Sequence, residues 1–153
     1  RQDCPSHMGS SDGIVFWSAW VPITPDIGPL EVCVGSHQAG LMPLYYDEKK
    51  LADAAYKSPN GKGDGMLIAN EEHYVHSFPH IHATCNDGDM LVVDFLTLHR
   101  SGYNRSEFPR WSMQLRYFNF NHEPSMQMGW PGGISQGNRP EKFHPELLAE
   151  GTA

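Results

Sequence analysis

The sequence predicts an all-β protein, an antiparallel sandwich or small barrel with a jelly roll as the leading arrangement. Three observations predict it. Twelve prolines and fifteen glycines in 153 residues impose many turns, which suit short strands better than a helical bundle. The apolar stretches are short, bounded by turn residues, and several alternate with a period of two. Hydrophobic residues make up 39% of the chain and charged residues 19%, which favours folding over disorder at a length able to bury a core. No internal repeat and no change of composition divides the chain. A single domain over residues 1–153 is expected, with its core at about 1–120 and an irregular tail at about 121–153.

The first element is Gly13–Ile23, whose β-branched and aromatic residues suit a strand buried on much of both faces. Thr24–Pro29 is a turn by composition, and Leu30–Val34 alternates as the next strand, ended by Gly35-Ser36-His37. These two strands are close enough in sequence to be expected as antiparallel neighbours. Asp47–Tyr56 places Leu51, Ala52 and Ala55 at helical spacing, and Ser58–Gly65 reads as a flexible loop. Tyr74–Thr84 is a strand candidate interrupted by Pro79, and Asn86–Asp89 carries the Asp-Gly signal of a tight hairpin turn. Met90–Leu98 reads as a strand ending at His99, followed by a polar loop at Arg100–Pro109. Arg110–Phe120 alternates: Trp111, Met113, Leu115 and Tyr117 point one way, and Arg110, Ser112, Gln114 and Arg116 the other. One helical turn near Pro145–Ala149 is expected in the tail.

A net charge of -7 argues against a nucleic-acid binder, which needs a basic face. No apolar run reaches the roughly 20 residues that a membrane span requires, and no secretory signal is visible. Cys4, Cys33 and Cys85 are odd in number and far apart, which reads as reduced thiols and a cytoplasmic location rather than a disulfide framework. The chain begins at Arg1 without a methionine and is expected to be a fragment or a processed product.

Chemistry concentrates at two places. His99 closes an apolar strand and leads through Arg100-Ser101-Gly102 and Asn104-Arg105-Ser106 to Arg110, whose planar fork matches a carboxylate. Asp3 lies in a proline turn and gains interest only if it meets His99 in space. One carboxylate and two imidazoles form the facial set that leaves ferrous iron open to oxygen and a bidentate co-substrate. Other histidines fit less well. His80 and His82, with His73 and His76 nearby, lack the glutamate that a cupin-like site would place before the last histidine, so a surface or channel-lining role is expected. His37 reads as structural, Ser58–Gly65 lacks the spacing of a phosphate loop, and Gly9-Ser10-Ser11 follows no strand that would make it a nucleophile elbow.

Taken in order, Asp3, Phe16–Trp20, the segment Asp26-Ile27-Gly28-Pro29-Leu30-Glu31-Val32 and the turn Gly35-Ser36-His37 resemble the phytanoyl-CoA dioxygenase family of Fe(II)/2-oxoglutarate-dependent oxygenases. So do Gly88-Asp89, His99-Arg100-Ser101-Gly102, Asn104-Arg105-Ser106, Arg110 and Leu115-Arg116-Tyr117. No single piece is specific, but the ordered set over about residues 1–118 is. The resemblance implies a double-stranded β-helix, a cupin-like jelly roll, with Asp3 and His99 as iron ligands. It implies Arg110, eleven residues after that histidine, as the anchor of the far carboxylate of 2-oxoglutarate, with Ser101 assisting. It also implies an aromatic packed against the co-substrate, either Trp20 or Trp17, with Trp20 assigned. The implied reaction is hydroxylation of a small or medium organic substrate by O2 with release of succinate and carbon dioxide. Residues 37–80, with Tyr45, Tyr46, Tyr56 and Tyr74, would shape the substrate pocket.

The chain departs from the family at one point. The first histidine of the family's HxD motif should stand two residues before Asp3, where this sequence has Arg1, a side chain that stays charged and cannot ligate a metal. Three explanations stay open: a histidine just upstream, substitution by His7, or a degenerate site poor in metal. The last makes the alternative function a jelly-roll binding module that lacks one iron ligand.

Overall fold

The computed structural model describes residues 1–4, 10–46 and 66–127. Among them run eight strands: β1 (Gly13–Ala19), β2 (Leu30–Cys33), β3 (Leu44–Tyr46), β4 (Met66–Ile68), β5 (His80–Ala83), β6 (Met90–Asp94), β7 (His99–Ser101) and β8 (Ser112–Phe118). Two short α-helices accompany them, α1 (Glu71–His76) and α2 (Glu123–Gln127), with 3-10 turns at Pro25–Ile27 and Ser36–Ala39. The expected helix at Asp47–Tyr56, the loop at Ser58–Gly65, the helical turn at Pro145–Ala149 and His7 lie outside the described residues.

One antiparallel sheet has the order β6-β1-β8 and a second the order β5-β2-β7, while β3 and β4 form a separate ribbon. Strands β1 and β2, then β5 to β8 in turn, alternate between the two sheets except for the step from β2 to β5. Their facing sides close over Trp17, Ala19, Ile23, Ile27 and Leu30, with Val32, Ala83 and Leu91 packed alongside. A second cluster, Cys33, Met42, Leu44, Ile68 and Leu98, seats the ribbon and α1 against one end. A third joins Cys4, Val15 and Phe95. The architecture is the predominantly β jelly roll that the sequence predicts.

Three local expectations are corrected. β1 does not pair with β2; it pairs with β6 and β8, and β2 pairs with β5 and β7. The ten residues between them include Pro22, Pro25 and Pro29, which cannot donate to a ladder, and they carry the chain from one sheet to the other through an isolated Ile23–Cys85 bridge. The Asp87-Gly88 turn forms, with Gly88 at φ 83°, but it is a corner between sheets and not a hairpin, since β5 and β6 belong to different sheets. Finally, Tyr74–Thr84 is not one strand: α1 ends at His76, and β5 starts only after Pro79. Glu71 and Glu72 in the first turn of α1 stand where negative charge favours a helix.

Candidate functional site

The chain start is held by backbone bonds. The Arg1 nitrogen donates to the His99 carbonyl at 2.8 Å, and the His99 amide donates to the Arg1 carbonyl at 3.0 Å. The amides of Asp3 and Cys4 both donate to the Phe95 carbonyl. Gln2, buried between them, donates to the carbonyls of Gly40 and Leu96 and accepts from the Met42 amide. Residues 1–4 thus lie beside the turn that leads from β6 to β7, and Asp3 meets His99 in space. Gln2 was not singled out in the sequence, and a lone glutamine carries no signal there.

The imidazole is oriented from behind. His99 Nδ1 lies 2.9 Å from the Thr97 carbonyl; a carbonyl only accepts, so Nδ1 carries the proton and, in the neutral ring, Nε2 presents its lone pair. Nε2 stands 3.6 Å from Asp3 Oδ1. Burial pushes the His99 pKa below its ordinary value, outweighing the raising effects of the Thr97 carbonyl and Asp3. Ser36, fully buried, accepts from the Leu98 amide at 2.7 Å and donates to the Cys33 carbonyl at 2.8 Å. That tie locks the residue before His99 to the end of β2, while His37 next to it is exposed.

Two arginines flank the same carboxylate. Arg1 approaches Asp3 Oδ1 at 3.5 Å and Arg116 approaches Oδ2 at 3.6 Å. Arg116 is the stronger partner, because its side chain is 23% exposed against 61% for Arg1, and solvent screens the more open pair. These separations exceed hydrogen-bond length. Asp3 Oδ1, Arg116 Nε and Trp17 Nε1 are buried without a hydrogen-bond partner among the described residues.

Arg110 is set on the far side. Its guanidinium donates to the Gly28 carbonyl and to Ser101 Oγ at 3.1 Å, and it lies 5.9 Å from the Trp17 ring centroid. Asn104 and Ser106 serve the loop that delivers it: Asn104 Oδ1 accepts from the Ser106 amide and hydroxyl, and Asn104 Nδ2 donates to the Phe108 carbonyl. Gly28 (φ 79°) and Gly102 make the strand crossing possible, since a Cβ on Gly28 would stand 2.6 Å from the Gly102 oxygen and one on Gly102 would stand 2.7 Å from the Pro29 oxygen.

A cleft of about 40 Å³ opens between these groups, lined by Arg1, Asp3, Trp17, His99, Ser101 and Gln114 among others. The structure therefore brings Asp3, His99, Ser101 and Arg110 to one neighbourhood. It does not bring Trp20, which is 62% exposed; Trp17, three residues earlier and 2% exposed, lines the cleft instead. The alternation of β1 predicts this, because Trp17 shares the inward side with Val15 and Ala19 and Trp20 lies beyond the strand. A larger open hollow of about 610 Å³ by Tyr45, Asn70, Glu71 and His73 borders none of these residues. His73, His76, His80 and His82 are exposed, as expected of surface histidines.

The described residues do not make a three-ligand metal site. Asp3 and His99 fit two positions, but the side chain beside them is the Arg1 guanidinium, a cation in place of a donor. Among the described residues no group of three His, Cys, Asp or Glu side chains is placed to hold a metal ion.

The sequence profile of the family described as Phytanoyl-CoA dioxygenase (PhyH) matches residues 5–112. No curated protein sequence matches the chain. Among solved structures, the fold is similar to that of the non-heme alpha ketoglutarate dependent epimerase SnoN from nogalamycin biosynthesis, at TM-score 0.52 and 15% identity, over 92% of this chain and 47% of that one. EvdO2 from Micromonospora carbonacea var. aurantiaca complexed with 2-oxoglutarate matches at TM-score 0.55 and 20% identity, over 76% and 42%. EctD from S. alaskensis with 2-oxoglutarate and 5-hydroxyectoine matches at TM-score 0.55 and 15% identity, over 94% and 44%. The chain thus spans less than half the length of these structures.

Proposed function

The chain belongs to the phytanoyl-CoA dioxygenase family, and from that premise we propose that it is a jelly-roll binding module for a small carboxylic acid of the 2-oxoglutarate type, built on an oxygenase scaffold whose iron centre lacks one ligand. The observation that carries this reading is the Arg1 guanidinium 3.5 Å from Asp3 Oδ1, at the corner where the third donor belongs. Arg110 and Ser101 supply the carboxylate-binding end, where two parallel donors from a guanidinium fix orientation as well as charge. Three free cysteines among the described residues support a cytoplasmic location. Titration calorimetry with 2-oxoglutarate tests the module: Arg110→Ala should weaken binding about tenfold or more, the scale of a lost charge-assisted pair, with the melting temperature little changed. Unaltered affinity in that variant removes Arg110 from the site.

A second reading is the complete Fe(II)- and 2-oxoglutarate-dependent oxygenase, which hydroxylates an organic substrate with O2. The juxtaposition of Asp3 with the lone pair of His99 Nε2 favours it, since those are two of the three expected donors. Bound iron would supply oxygen activation; the chain's own part would be to present Asp3 and His99 and to hold the co-substrate at Arg110. Succinate formation that depends on added Fe(II) and 2-oxoglutarate would establish this reading over the first, and a failure to retain iron after anaerobic loading would exclude it.

A further inference from the structure

Three guanidinium groups, Arg1, Arg116 and Arg110, stand at or beside the cleft against the single carboxylate of Asp3. Asp3 is buried and has a guanidinium partner in Arg116, which also donates to Gln114 Oε1 at 2.5 Å. Arg116 thereby sits behind the carboxylate and pins a neighbouring side chain of the cleft wall. With Asp3 compensated in this way, the positive charge of Arg1 is left over in the cleft lining, and that of Arg110 stands behind Ser101, whose hydroxyl it reaches at 3.1 Å. Arg1 lines the cleft and its side chain is 61% exposed, free to turn toward a ligand. Trp17 Nε1, buried in the wall with no acceptor among the described residues, adds an unspent donor. The cleft and its border therefore offer two cations and a buried donor, which is the complement of an acceptor-rich dianion.

We propose that guanidinium groups replace the metal in this site, so that a short dicarboxylate binds across the mouth of the cleft, one carboxylate on Arg110 and Ser101 and the other on Arg1, with Arg116 as the positioning residue that neutralises Asp3. The inference rests on the reading of Arg110 as a carboxylate anchor, and it adds a consequence for selectivity. A metal-chelating site requires the 2-oxo group beside the near carboxylate. A site built from two arginines reads only the carboxylates and their separation, so glutarate should serve as well as 2-oxoglutarate.

The test is titration of the 153-residue chain with 2-oxoglutarate and with glutarate, each in EDTA and each in Mn(II). Both acids should bind in EDTA with dissociation constants within about threefold of each other, and Mn(II) should change neither. Arg1→Gln should weaken both about tenfold. Arg116→Gln should weaken both as well, and Arg116→Lys should restore part of the affinity by returning the charge; circular dichroism of each variant separates lost binding from lost folding. Binding of 2-oxoglutarate that disappears in EDTA and returns with Mn(II), or failure of glutarate where 2-oxoglutarate binds, overturns the metal-free site and leaves the Arg110 anchor standing. Absence of binding by both acids in both conditions overturns the anchor and this inference together.

Discussion

His99 sits in an environment that a sequence cannot show. Its ordinary pKa of 6.5 is lowered chiefly by burial. The folded state therefore resists protonation that the unfolded chain accepts, so its contribution to stability is complete above 6.5 and is lost as the pH falls from there toward the lowered folded value. The melting temperature should drop over that interval, and His99→Gln should flatten the drop; an unchanged pH profile in the variant would assign the effect to other histidines. Cys4 moves in the opposite sense, pushed up to about 12 by burial, with Asp94 and Asp3 adding to it, which leaves the thiol inert. Asp3, Ser101, His99 and Arg110 were all legible as candidates because their spacing and chemistry survive in the sequence. What brings them together was not. Gln2 and Ser36 fasten residues 1–4 and Leu98 through contacts across 94 and 62 residues, and no local pattern announces contacts of that range. A period of two tells Trp17 from Trp20, and it places Trp17 on the inward side of β1 once the strand's end at Ala19 is known.

At the level of elements, the longer strands were legible and their partners were not. The three-residue strands β3, β4 and β7 were not legible either, with β7 opening what reads as a polar loop at Arg100–Pro109. β1, β6 and β8 lie within the expected apolar segments at Gly13–Ile23, Met90–Leu98 and Arg110–Phe120, because alternation and β-branched residues are local signals. Proximity in sequence suggested β1 beside β2, whereas prolines between them direct the chain across the sandwich. The crossing of the β2 lead-in over the β7 exit depends on two glycines. Gly28→Ala places a methyl group 2.6 Å from the Gly102 carbonyl oxygen at a φ of 79°, a clash with backbone that cannot be relieved by a rotamer change. A loss of about 1–3 kcal/mol of stability is expected, read from urea unfolding. Because the Gly28 carbonyl also accepts from Arg110, the same variant should weaken carboxylate binding in the part that stays folded. A variant as stable as the parent would show that the crossing relaxes freely.

Across the whole molecule, the alternation of β8 runs opposite to a usual surface strand. Its polar residues Ser112, Gln114 and Arg116 share the side of Trp17, while Met113, Leu115 and Tyr117 pair across the outer side with Ser18, Phe16 and Ile14. Tyr117 is 55% exposed, and Val92, across β1 from Leu115, is 60% exposed. The polarity of β8 was legible in the sequence; which side would face the sandwich was not, because alternation defines two faces without saying which one a second sheet will cover. The site claimed the polar side. In solution, the consequence concerns handling more than chemistry. An outer sheet face with this much exposed apolar surface makes collisions between molecules adhesive, so the purified chain should turn cloudy as it is concentrated, and salts that strengthen apolar association should bring this on sooner. Leu115→Lys combined with Val92→Lys should raise the concentration at which light scattering sets in, with binding at Arg110 retained, because both side chains leave the sheet away from the cleft. Equal turbidity in parent and variant would place the adhesive surface elsewhere.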